Sequence, residues 1–250
     1  MSLTGARADD WDRHWGDYRD AVAVSPAHEY RRRLILANLR LDETASPRLL
    51  DIGSGLGDFL LAVHARYPRV PKLGLESSQI AVDIATRRCP DIEFRRRDLL
   101  AGAVDPADHR GFATHAVCSE VLEHVDDPVR LLSNARPYLA EGCRLVVTVP
   151  GGPRSAYDRQ IGHRRHFTPG DLSRLLTQAG FSVERATGAG FPFFNLYRVL
   201  VILAGRRLTT AATGQPGASL RLTAAVFRGL FKLNSAASAA GWQVLAVARP

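Results

Sequence analysis

The chain predicts a doubly wound α/β fold with a parallel sheet, and three observations carry that expectation. Short apolar runs alternate with helical segments from Leu49 to Ala186, as they do where helices cross over between parallel strands. The first run, Leu49-Leu50-Asp51-Ile52, passes into a loop holding Gly53, Gly55 and Gly57. A strand, a glycine loop and a helix in that order mark the ligand-binding edge of such a sheet. Glu76 ends the second apolar run, Lys72-Leu73-Gly74-Leu75, about twenty residues on, where an acid reaches the ribose hydroxyls of a nucleotide.

The elements follow in order. Residues 26 to 41 read as a helix, with Pro26 near its start and Tyr30, Leu34 and Ala37 or Leu41 at helical spacing. Strand one covers 48–52, and the helix after the glycine loop covers 56–66. Strand two lies at 72–75; a helix then runs from about Ser78 to Arg88, with Ser77 or Ser78 as its cap. Strand three covers 92–96 and leads to Asp98-Leu99; a polar loop spans 101–112, and strand four covers 113–118. Pro128 opens the next helix, as proline suits a first helical turn. Strand five, 144–149, stops at Pro150-Gly151-Gly152-Pro153. Pro169 opens a helix to Ala179, which Gly180 closes, and 181–186 forms strand six. Two apolar helical stretches then fill 191–233 around a Thr-, Gly- and Pro-rich linker near 209–218, before a last strand at 242–248.

At 250 residues and 46% apolar composition the chain fits one generous domain with a core of its own. It divides into an N-terminal helical flap (1–45), a binding core (46–190), a helical insertion or lid (191–240) and a final strand (241–250). Trp11, Trp15 and Tyr18 are assigned to the flap. The segment from Met1 to Asp20 is polar, without a secretory pattern, so a cytoplasmic location is expected. Cys89, Cys118 and Cys143 lack ligand or redox spacing and read as buried thiols. The net charge of +8 is almost all arginine. With no basic tail, zinc-finger spacing or base-stacking motif, nucleic acid is not an expected partner.

The glycine loop says which nucleotide is bound. Dinucleotide sites space their glycines G-x-G-x-x-G, so that a pyrophosphate rests on the following helix. Here the spacing is G-x-G-x-G, with Asp58 directly after it and Asp51 directly before the turn. Two acids and no nearby lysine suit a cationic ligand bearing an ammonium and a sulfonium, and S-adenosylmethionine is the obvious candidate. The segment resembles the first motif of class I S-adenosylmethionine-dependent methyltransferases, small-molecule branch. The resemblance extends over roughly residues 48 to 150 and implies a Rossmann-like sheet of seven strands, the last antiparallel. It places Asp51, Gly53, Gly55 and Gly57 against the methionine part of the cofactor, and Glu76 with Ser77 at the ribose. Asp98 and Leu99 then lie beside the adenine, and Glu120 lines the methyl-donor pocket.

Two further clusters bear on chemistry. Glu120, Glu123 and His124 share one face if their turn is helical, and a divalent metal would fit such a trio. The preferred reading has no metal: His124 packs near the cofactor and Glu123 is solvated. The second cluster is Gly162-His163-Arg164-Arg165-His166-Phe167-Thr168-Pro169. His163, His166 or His124 would remove a proton from the methyl acceptor, and Arg164 or Arg165 would bind an acidic group on it. The acceptor is expected to be a small organic molecule, anionic or hydrophobic, methylated most naturally on oxygen in a secondary-metabolite, sugar or lipid pathway. N- or C-methylation, a non-catalytic binding protein and a nicotinamide-dependent oxidoreductase are the rival readings. The insertion reads first as a lid, then as core packing, and least as a peripheral membrane contact.

Overall fold

The computed structural model describes residues 25–101, 106, 109–204 and 218–250. Trp11, Trp15 and Tyr18 lie outside them, as does most of the linker. Seven strands, β1 (Leu49–Ile52), β2 (Lys72–Glu76), β3 (Glu93–Arg96), β4 (Ala113–Ser119), β5 (Leu139–Pro150), β6 (Ser182–Ala189) and β7 (Gln243–Arg249), form one sheet. Their order is β3-β2-β1-β4-β5-β7-β6. The pairs from β3 across to β5 are parallel, and β7 runs antiparallel to both β5 and β6. The doubly wound sheet with an antiparallel last strand is therefore as expected.

Burial explains which segments became strands. β1 and β2 are buried on both faces, so they read as continuous apolar runs rather than alternating ones. β3 is the edge, where only Phe94 is buried and charged residues blunt the open side. β5 starts five residues earlier than its apolar run suggested, at Leu139, because the register with β4 shifts around Thr114 and lets Leu139 pair with Ala113.

The helices are α1 (Pro26–Leu39), α2 (Asp58–Arg66), α3 (Gln79–Arg88), α4 (Pro128–Ala135), α5 (Ala156–Gln160), α6 (Pro169–Gln178), α7 (Phe193–Ala204) and α8 (Ala218–Leu230). Ser78 caps α3 by accepting from the Ala81 amide, and Thr168 with Asp171 forms a reciprocal box at the start of α6. α4 and α6 pack on one face of the sheet. On the other face α1, α2 and α3 join Phe194, Phe227 and Phe231 from the inserted segment. In α1 the core positions are Ile35 and Leu39 beside Tyr30 and Leu34, whereas Ala37 faces outward. Tyr30 meets the rings of Phe194 and Phe231 at 5.4 Å each, which fastens α1 to the insertion. β1 has β2 on one side and β4 on the other, so the loops leaving β1 and β4 diverge and open a crevice at their carboxyl ends.

Candidate active site

The crevice has two sides, and the one formed after β1 and β2 is made chiefly of backbone. Gly53 and Ser54 both donate their amides to the Leu75 carbonyl, at 2.8 and 3.0 Å, which curls the loop back over β2. Gly53 and Gly57 have φ of 75° and 79°, a region that side chains other than glycine's seldom adopt. A Cβ at Gly53 would lie 2.5 Å from Val121 Cγ2, and one at Gly57 would lie 2.8 Å from Phe94 Cζ. Nothing larger fits either place.

Glu76 is fixed from several directions. Gly55 donates its amide to Oε2 at 2.9 Å, while the amides of Ser77 and Ser78 and the Ser77 hydroxyl donate to Oε1 at 2.8, 3.0 and 3.1 Å. Asp51 lies nearby and is buried; burial first and the Glu76 charge second raise its carboxyl from 3.8 to about 8. Asp58 is ion-paired to Arg88 at 2.6 Å. These two facts correct the expectation of a doubly charged rim, because Asp58 is matched by a cation and Asp51 is mostly protonated at neutral pH. Asp98 is exposed and accepts from the Leu100 amide at 2.8 Å, while Leu99 is buried. The Arg97 amide donates to the Glu76 carbonyl at 2.7 Å and ties this segment to β2.

The other side is made of side chains from distant parts of the chain. Residues 120–124 form an irregular turn, and Glu120 has a left-handed φ of 56°. The anticipated shared helical face for Glu120, Glu123 and His124 therefore does not form. Glu120 instead pairs with Arg31 of α1 at 3.0 Å and accepts from Gln243 of β7 at 3.0 Å. Arg31 Nε closes the triangle by donating to Gln243 Oε1 at 3.2 Å. Glu123 is not solvated, as the sequence suggested; it is fully buried and neither oxygen accepts a hydrogen bond. Burial, then the Glu120 charge, pushes its carboxyl well above the usual range.

Three histidines meet around it. His124 Nε2 and His163 Nε2 lie 3.9 and 4.0 Å from Glu123 Oε1. His163 Nδ1 shares a proton position with His166 Nε2 at 3.1 Å, and His166 Nδ1 faces the Gly152 carbonyl at 3.1 Å. Buried Asp158 stands 3.8 Å from His163 and 3.9 Å from His166. Burial alone would raise the Asp158 carboxyl, but Arg198 at 2.8 Å and Ser155 bring it down to about 2. Burial, then His124, lowers His163 from 6.5 to about 3, and burial lowers His166 too. Both imidazoles are thus neutral at pH 7, and burial makes each a weaker base than a free imidazole. Among the described residues, Glu123, His124 and His163, and separately Asp158, His163 and His166, are the sets that could hold a metal ion, each with ligand atoms within 4.8 Å.

The arginines between the histidines have structural partners. Arg164 is ion-paired to Asp126, and Arg165 donates to the Val125 and Asp126 carbonyls at 3.1 Å each. Both zip the loop after β5 to the loop after β4, which corrects their assignment to an acidic acceptor. Arg31 stands out in the sequence only as part of the basic run Arg31-Arg32-Arg33, which reads as a cluster for an acidic substrate or lipid headgroups, whereas its partners here are Glu120 and Gln243. Gln243 and Arg198 were missed, and of the two only Arg198 left a signal, as the one charged residue in the apolar run from 191 to 205.

Residues 26–186 match a family described as a methyltransferase domain. The chain is 35% identical to a trans-aconitate 2-methyltransferase of Rhizobium meliloti, over 50% of this chain and 48% of that one. It is 24% identical to a ubiquinone biosynthesis O-methyltransferase of Marinobacter nauticus, over 62% of this chain and 72% of that one. Several curated relatives are matched over only about half of their own length. In fold, the chain is similar to a geranyl diphosphate C-methyltransferase from Streptomyces coelicolor, solved with Mg2+, geranyl diphosphate and S-adenosyl-L-homocysteine. The TM-score is 0.56 at 17% identity, covering 89% of this chain and 79% of that one.

Proposed function

This chain belongs to the methyltransferase-domain family, and we propose that it moves the methyl group of S-adenosylmethionine onto an oxygen of a small organic acceptor. The single observation that carries the reading is Glu76, a buried carboxylate fixed by three amides at the switch point of the sheet, with a neutral histidine pair on the opposite side. Glu76 binds the ribose hydroxyls, which take over the position of the rotatable Ser77 hydroxyl. Gly53, Gly55 and Gly57 admit the donor to the backbone, and Asp51 meets its ammonium group, losing a proton as it does so. Asp98 and Leu99 flank the adenine. Glu120 borders the pocket through its backbone, while its carboxylate positions α1 and β7.

The cofactor, when bound, supplies a methyl carbon already activated by its sulfonium, so alignment and exclusion of water contribute much of the acceleration. A hydroxyl acceptor still has to lose a proton. His163 takes it and shares it with His166, while Asp158 stabilises the resulting positive charge; His124 borders His163 at a ring separation of 4.7 Å. The relatives include a trans-aconitate 2-methyltransferase and a ubiquinone biosynthesis O-methyltransferase, so a carboxylic acid and a quinone pathway are both represented. A carboxylate acceptor needs no base, so the neutral histidine pair favours a hydroxyl.

Calorimetric titration with S-adenosylmethionine and with NAD tests the donor, and labelled methyl transfer to parallel panels of phenols and carboxylic acids tests the acceptor. Micromolar binding of the first ligand and transfer to a phenol are expected. Binding of NAD alone would support the oxidoreductase, and no affinity for either would make the chain a scaffold.

A further inference from the structure

We propose that the outward face of α7 and α8 docks on a lipid surface carrying anionic headgroups. The first ground is exposure. Seven of the eight large apolar residues exposed among the described residues lie between Phe191 and Leu233. On α7 they are Leu196, Leu200 and Leu203, which recur at i, i+4 and i+7 and so form one stripe. Arg198 projects from the opposite side of that helix and reaches Asp158. Along α8 and the short turn after it, Leu222, Val226 and Leu233 are exposed while Ala224, Phe227 and Phe231 are buried. Each helix is therefore apolar on two sides, one packed on the domain and the other left open. Core packing accounts for the first side only. Leu203, Leu222 and Leu233 are 76%, 68% and 69% exposed, too open to serve as the wall of a closed pocket.

The second ground is where the charge sits. Of the 33 Lys and Arg residues, 25 lie in residues 1–184 together with all 25 acids, and the other eight lie in residues 185–250. The whole net charge of +8 thus falls in the stretch that contains the open apolar stripes and has no acidic residue. Within it Arg198 and Arg249 pair with Asp158 and Glu184, and Arg185 lies on β6, so among the described side chains Arg228 and Lys232 carry the charge beside the stripes. Arg228 and Lys232 are on the flank of α8 and its following turn between the packed and open sides. From there, long aliphatic stems can lie along an apolar phase with their charges in the headgroup layer. A basic, acid-free pair of helices with leucine facing outward fits the interface of an anionic bilayer. A second copy of the chain would bring like charge against like charge, and nucleic acid would leave the leucines in water. No helix of the described residues is long and apolar enough to cross a membrane, so the segment lies on the surface rather than through it.

Co-sedimentation of the full chain with vesicles tests this. Pure phosphatidylcholine is compared with phosphatidylcholine containing roughly a third phosphatidylglycerol, at low salt and at ~0.5 M salt. Binding at least tenfold tighter to the anionic vesicles, weakened by salt, is expected. Leu203→Glu with Leu222→Glu should abolish binding, and Arg228→Glu with Lys232→Glu should weaken it about tenfold. Both double variants should keep the parent melting temperature, since their side chains stand in solvent. The proposal is overturned if the chain ignores both vesicle types or if the Leu203, Leu222 variant still binds. Self-association, or retention on nucleic acid, lost in that same variant while vesicles go unbound would overturn it equally.

Discussion

Glu76 and Glu123 are both buried carboxyl groups at loops on the same edge of one sheet, and their surroundings could hardly differ more. Glu76 receives three amides and a hydroxyl, all from residues 55, 77 and 78. Glu123 receives none, and faces two imidazoles across about 4 Å. The contrast teaches how the two halves of the crevice are built. Under the proposed function, the donor half is a backbone template with glycines where side chains would intrude. The acceptor half is an assembly of titratable side chains whose protonation depends on one another. The first is suited to holding an invariant ligand, the second to moving a proton.

The largest test of that division is His163→Ala, or His166→Ala. Each should lower turnover by about a hundredfold while leaving the dissociation constant for S-adenosylmethionine within twofold. Full activity in both variants would remove the base from the acceptor half. Next in size, Glu76→Ala should weaken cofactor binding at least tenfold, because three amides lose their partner along with the ribose contact. Titration calorimetry checks it, and an unchanged affinity would dissolve the donor half as drawn.

The two halves should also respond oppositely to pH. The fold raises Asp51 from 3.8 to about 8 and so favours its protonated form. That contribution is complete below about pH 4 and is lost as pH climbs to about 8. The fold lowers His163 from 6.5 to about 3 and favours its neutral form. That contribution is complete above pH 6.5 and is lost as pH falls toward 3. In melting curves taken across pH, Asp51→Asn should flatten the alkaline loss alone, and His163→Ala the acidic loss alone. If either variant flattens both, the halves are coupled rather than separate. The smallest effect is expected at Glu123→Gln. Burial favours the neutral form of this carboxyl, so exchange for an amide should change the melting temperature by no more than ~3 °C, about 1 kcal/mol in a domain of this size. A larger fall would mean that Glu123 works as an anion.

The same division explains what the sequence made legible. The donor half is written in contiguous windows: a strand, glycines at fixed spacing, an acid at the next strand end. Backbone geometry is local, so local reading finds it. The acceptor half brings Arg31, Glu120 and Gln243 together across as many as 212 residues, and no spacing rule anticipates that. The loop expected after β4 is present, and the condition for a shared face of Glu120, Glu123 and His124 is not met because Glu120 takes a left-handed φ, a local geometry that apolar periodicity does not report. The histidines were found as a cluster, but Asp58, Arg164 and Arg165 were given to ligands when the fold uses the first two in ion pairs and the third in hydrogen bonds to backbone carbonyls. That the last strand runs antiparallel was visible only through family resemblance, and its place between β5 and β6 was not read from the sequence.

β7 follows β6 in the chain yet lies between β5 and β6 in the sheet. Until it is synthesised, β6 has no neighbour to bond with and the flank of β5 stays bare. Gln243, the first residue of that late strand, is also the side chain that clasps Glu120 and Arg31. The triangle of Arg31, Glu120 and Gln243 can therefore close only once β7 has taken its place in the sheet.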